Sequence, residues 1–269
     1  MKHGRQMRKS DVIVGVFCSL VLLLILGAAC HSLRPQSHAV GCQGNLGQWG
    51  NVFQEYLQRQ DGSFFSARYG GAYYWIDQLD DEHRDWRRTS IWLCPQASKP
   101  LIDEEGNRAG GTSVFSAWGI YQGEEYGPSG IAGSYGLNGY TLDAHKRFRF
   151  EGGVSGENGW REFGSVSCAD NVPVFVDALR FDLWPRHTEP PAANEFAFWT
   201  ANNMARCCIN RHQGAVNCLF MDWSVRRVDL KELWTLKWHR SFDTTGPWTK
   251  AGGVVAGDWP EWMRGFKDY

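Results

Sequence analysis

His212 and Asp222 are the first candidates for chemistry, with nine residues, 213 to 221, between them. An imidazole oriented by a carboxylate acts as a general base, but it needs a nucleophile to serve. No GxSxG, HExxH, P-loop or Cys-x-x-Cys pattern accompanies the pair. The pair therefore reads as scaffold, with Asp222 capping a turn, and a hydrolase dependent on His212 or a metal site as the alternatives. Cys207, Cys208, His212 and Cys218 offer soft donors for zinc. Their spacing does not follow the familiar ligand pairs separated by two to four residues. Buried or disulfide-bonded thiols are the preferred reading, with no metal and no cofactor expected. The acid pairs Glu104-Glu105 and Glu124-Glu125 lie in polar, Gly-containing stretches and read as solvated surface rather than as paired glycosidase carboxylates.

The remaining cysteines depend on the compartment. An exported domain tolerates disulfides, and the pairing Cys42–Cys94 is expected because it ties a helix to the rest of the fold. Such a bond stabilises by about 2–4 kcal/mol. Fourteen tryptophans are present, and Trp234, Trp238, Trp248, Trp259 and Trp262 crowd the C-terminal tail. They are expected to clamp the tail onto a sheet; an exposed platform for polysaccharide or a neighbouring subunit is the alternative.

These residues need elements to position them. The 269-residue chain carries 28 Lys+Arg and 29 Asp+Glu, for a net charge of −1, which argues against a nucleic-acid partner. Hydrophobic residues at 43% suffice for one core. Residues 1–11 form a basic segment, with Lys2, Arg5, Arg8 and Lys9 against Asp11. Val12 to Ala29 then runs 18 residues without a charge. As a helix that run is about 27 Å long, close to the ~30 Å of a bilayer core. A transmembrane helix over 12–30 is expected, with the basic flank in the cytoplasm. A lipoprotein signal ending at Cys30 and a cleaved secretory signal are the alternatives.

His31-Ser32-Leu33-Arg34-Pro35 predicts a break or kink. Leu46, Trp49, Phe53, Tyr56 and Leu57 then share one helical face, giving a membrane-proximal helix within 31–60 that Asp61-Gly62-Ser63 ends. The exported head is 61–269. Val172 to Ala178 predicts a buried strand, and Asn217 to Val228 a hairpin turning at Asp222-Trp223-Ser224. Leu230 to Trp238 predicts a short helix, and Gly130 to Tyr140 a close-packed loop.

In order along the chain, four stretches resemble the bacterial type IV prepilin-like, or type II secretion pseudopilin-like, proteins that carry a His-x9-Asp-Gly segment. The first is Met7 to Val14, where Asp11 takes the place of the family's acidic residue. Gln6 and Met7 stand at the prepilin cleavage position, where the family has glycine and an aromatic residue. The second is Cys42-Gln43-Gly44-Asn45-Leu46-Gly47-Gln48-Trp49. The third comprises Leu93-Cys94-Pro95 and Gly133-Ser134-Tyr135-Gly136-Leu137-Asn138. The fourth is Arg211-His212-Gln213-Gly214 with Asn217 and Asp222, which Trp223 follows instead of glycine.

The resemblance implies an α+β, pilin-like fold: a long N-terminal transmembrane helix packed on a globular head with an antiparallel sheet. It also implies an assembly role for Asp11, pairing with another subunit's N-terminal charge. The expected function is a non-enzymatic, membrane-anchored subunit of a type II secretion or pilus-like assembly. It would be held by the lipid bilayer and by other pilin-like subunits, single-pass in the inner membrane with its head exported. The alternative is a surface-anchored module, a lipoprotein at Cys30, that binds polysaccharide or another partner.

Overall fold

In the computed structural model, residues 9–67, 75–101, 113–119, 130–161, 163, 164, 166, 168–195 and 202–269 are described, with the side chains of α1 described over 17–24 and 36–59. Gln6, Met7 and the two glutamate pairs lie outside the described residues, as do the side chains of Asp11 and Cys30. The chain divides into two units, Met1–His38 and Ala39–Tyr269.

Helix α1 runs Lys9–Arg59. The expected break at Pro35 does not appear in the helix assignment: a proline removes one ladder bond without ending this helix. Among the described residues, no helix is long and apolar enough to cross a membrane. The described apolar stretch, Phe17 to Leu24, has every residue exposed. The absence of such a span among the described residues overturns the transmembrane helix over 12–30, the inner-membrane location and the pilin-like architecture built on them.

The second unit is α+β around one five-stranded sheet of order β5-β3-β4-β6-β7. Its strands are β3 (Tyr135–Asn138), β4 (Pro173–Asp177), β5 (Asp182–Leu183), β6 (Ala215–Phe220) and β7 (Val225–Asp229). A separate two-residue parallel pair joins β1 (Lys99–Pro100) to β2 (Ser116–Ala117). The main sheet is not purely antiparallel. β3–β4, β4–β6 and β6–β7 are antiparallel, but β5 crosses to the far edge and pairs with β3 in parallel.

Strand β4 is buried along its whole length, as its unbroken apolar run requires of a strand covered on both faces. The β6–β7 hairpin turns where the sequence places it. There Asp222 accepts from Ser224 N (3.0 Å) and Ser224 Oγ (2.6 Å). Trp223 takes φ +68, the left-handed conformation that glycine adopts without strain, and its ring stacks on Phe163 at 5.6 Å. Leu230–Thr235 forms a 3-10 helix with a capping box between Asp229 and Glu232.

The predicted face of α1 is the buried one, with Leu46, Trp49, Phe53 and Leu57 all buried. Trp49 and Phe53 pack edge-on against Phe175 of β4 at 5.3 and 5.4 Å. Gly50 lets the helix approach the sheet: a Cβ there would stand 3.2 Å from Leu219 Cδ1. This helix–sheet contact sets the stretch of α1 around Cys42 over the point where β4 ends.

Candidate metal centre

Helix α1 delivers Cys42 at that point. Two further side chains of the same helix hold the next donor in place. Asn45 Nδ2 donates to Ser90 O (3.2 Å) and Leu93 O (2.9 Å), and Trp49 Nε1 donates to Ile91 O (2.9 Å). The segment pinned this way ends in Cys94. β4 ends in Asp177, fully buried, and the turn before β6 presents Arg211 and His212.

One donor atom from each of Cys42, Cys94, Asp177 and His212 lies within 4.8 Å of all the others. Cys42 Sγ stands 3.5 and 3.6 Å from the two Asp177 oxygens. Cys94 Sγ stands 3.6 Å from His212 Nε2, which in turn is 3.1 Å from Asp177 Oδ2. Zinc binds thiolate at about 2.3 Å and imidazole or carboxylate at about 2.0–2.2 Å. A tetrahedral ion with such bonds separates its donors by roughly 3.3–3.8 Å; the four contacts just given, at 3.1–3.6 Å, fall in or near that range, within a set that spans up to 4.8 Å. The donor set of two sulfurs, one nitrogen and one oxygen suits a borderline-soft divalent ion.

The outer contacts are built as well. Asp177 Oδ1 accepts from Arg211 Nη1 (3.1 Å), and Oδ2 accepts from the backbone N of Asn217 (2.7 Å). Tyr135 OH meets Cys42 Sγ at 3.4 Å. Asn217 also bonds Gln43 and Ala39 O, fastening α1 beside the centre. Such partners orient ligands and tune a bound ion.

Burial pushes the Cys42 thiol well above its ordinary range, and the Cys94 bond and the Asp177 charge act the same way. Cys94 is drawn down to about 6, first by its bond with Cys42 and against its own burial. Burial works against a charged His212, yet bonds to Asp177 and Cys94 raise it to about 9. Asp177 is held below the carboxylate range despite its burial, by His212, Arg211 and the Asn217 N–H.

The geometry does not make a nucleophilic relay. In a relay the base meets its nucleophile with one ring nitrogen and its orienting carboxylate with the other. Here Cys94 and Asp177 both face Nε2, and buried Nδ1 has no hydrogen-bond partner among the described residues. A single Nε2 facing both Cys94 and Asp177 serves as a shared N–H donor while it carries a proton, and the same grouping suits ligands around a common cation.

Of the residues marked from sequence, Arg211, His212 and Asn217 join this centre, as do Cys42 and Cys94. Gly214 holds the preceding turn at φ +84, where Phe266 leaves no room for a Cβ. Asp222 is exposed and serves its own turn, so the carboxylate beside His212 is Asp177. Cys42 and Cys94 are brought together, but as free thiols, which corrects the expected disulfide. Cys42 Sγ instead contacts Asp177 and Tyr135, and Cys94 Sγ contacts His212. Cys207, Cys208 and Cys218 do not gather on His212; their thiols contact Met204 O, Met263 Sδ and Leu219 O respectively. Asp177 is the ligand that sequence reasoning missed. The signal was an acid closing an otherwise wholly apolar strand.

Compared with known proteins, the chain matches no family model, no curated protein and no solved structure.

Proposed function

We propose that the unit Ala39–Tyr269 is a non-enzymatic structural module whose fold is fastened by one buried divalent ion of the zinc class, held by Cys42, Cys94, Asp177 and His212. The observation that carries this reading is the convergence of four donor atoms within 4.8 Å, drawn from a helix, a pinned turn, a strand end and a pre-strand turn. All four residues are buried. Four protein donors complete a tetrahedral sphere, which is the pattern of structural zinc sites; catalytic sites keep one position for water or substrate. When bound, the ion supplies a crosslink between helix α1 and the sheet, the role that a Cys42–Cys94 disulfide was expected to fill. Ligand residues that must deprotonate to bind couple this crosslink to pH, so acid releases the ion.

The test is elemental analysis of the purified full chain after dialysis against metal-free buffer, followed by titration with Zn2+ and Co2+. One ion per chain is expected, with a tetrahedral cobalt spectrum. Cys94→Ser and His212→Ala should each abolish it. A wild-type chain that retains no metal and takes up neither ion overturns the reading.

A further inference from the structure

Arg211 is buried beside this centre, with 1% of its surface exposed. All five of its N–H directions meet an acceptor. Nε donates to Val114 O (2.8 Å). Nη1 donates to Ser134 O (2.6 Å) and Asp177 Oδ1 (3.1 Å). Nη2 donates to Ser116 O (3.1 Å) and Ala178 O (3.5 Å). A guanidinium so held neither swings away nor loses its proton. It is a permanent positive charge against the one carboxylate of the donor set.

The charges around a bound ion then follow from ligand chemistry. Metal-bound cysteines are thiolates and metal-bound histidine is neutral. Two thiolates and Asp177 give −3, and Arg211 makes the surroundings −2. A divalent ion brings the buried group to zero, a monovalent ion leaves it at −1, and a trivalent ion at +1. Uncompensated charge in a dry interior is strongly unfavourable. We propose that Arg211 is the charge-setting residue of the centre: it matches the buried cage to a divalent thiophilic ion and, in an iron-loaded chain, to the ferrous state. This rests on the metal reading above.

Coulomb energy scales with the product of the charges, so removing the guanidinium helps a divalent ion twice as much as a monovalent one. The experiment compares Zn2+ and Cu+ affinities, by competition with chelators, in the wild-type full chain, Arg211→Gln and Arg211→Lys, each expressed with zinc present. The zinc-to-copper preference should rise by about tenfold or more in R211Q, and R211K should stay near wild type. An unchanged ratio in R211Q, in a chain that still binds one zinc, overturns the assignment to Arg211 and leaves the metal reading standing. A wild-type chain that binds no metal overturns both. A second measurement does not depend on any variant folding. Wild-type chain loaded with Fe2+ without oxygen and then exposed to air should stay ferrous, with no thiolate-to-iron(III) absorption. Conversion to the ferric form overturns the proposal.

Discussion

Asp177, Arg211 and His212 are as fully withdrawn from water as Trp234, Trp238 and Trp259. The two regions reach that state by different means. In the C-terminal region the indole rings pack on one another, with Trp234 and Trp259 edge-on at 5.4 Å. Two of the polar tips find backbone carbonyls, Trp234 Nε1 donating to Glu189 O and Trp238 Nε1 to Leu233 O, both at 2.9 Å, while Trp259 Nε1 is buried with no hydrogen-bond partner among the described residues. Lys231 lies over the Trp259 ring and pairs with Asp268. Such a region is stable on its own terms, because dispersion and area burial need no outside component. The corner around Asp177 concentrates charge where water cannot reach and leaves one imidazole nitrogen facing two anionic groups. Arg211 and the raised His212 supply positive charge against it. A dry interior can thus be filled by apolar packing or by paired charge, and on the proposed metal reading the second kind also receives an ion.

The largest effect that sharpens this contrast is expected for Asp177→Ala. It removes a ligand and strands Arg211 as an unpaired buried charge, costing on the order of 5 kcal/mol. Urea unfolding with and without chelator should show the variant unstable and indifferent to the chelator, while wild type weakens when the chelator is added. Trp238→Ala comes next, at about 4 kcal/mol for the lost ring and its cavity. Its unfolding should keep the full wild-type response to chelator. If the chelator response disappears in this variant, the two regions are one cooperative structure and the contrast fails.

The third effect is smaller and belongs to the aromatic side. Burial, with the nearby charges of His187 and Lys237, lowers His239 to about 4. A histidine kept neutral when folded contributes its full stability above its unfolded value near 6.5, and that contribution is lost as pH falls toward 4. The loss is about 3 kcal/mol. Denaturant midpoints measured from pH 7 to pH 4.5 should fall in the wild-type chain, and part of that slope should vanish in His239→Gln.

Periodicity was enough to read several elements. The buried face of α1 repeats at helical spacing, β4 is an apolar run too short for a helix, and the β6–β7 turn is marked by Asp222 and Ser224. β3 was not legible because its four residues sit inside a Gly-rich stretch that reads as loop. Gly136 is there for close approach: a Cβ would stand 2.5 Å from Arg180 O. The long apolar run at the start was read as a membrane span by length and charge alone, and the structure does not support that. The centre was legible by residue type but not as a group. Cys94 and His212 are 118 residues apart, and Cys42 and Asp177 are 135 apart. A search for zinc ligands among neighbours therefore raised only Cys207, Cys208, His212 and Cys218, a set whose spacing argued against a metal and whose three cysteines pack separately.

Those separations have a kinetic consequence. The donor set exists only after the helix has docked, the 90–94 segment has been stapled beneath Asn45 and Trp49, and β4 and β6 have paired in register. Contacts between such remote parts of a chain form late, after the loop-closure cost has been met. A half-built molecule has scattered thiols and no cage, so on the proposed metal reading cation capture would work as a final inspection of the finished topology.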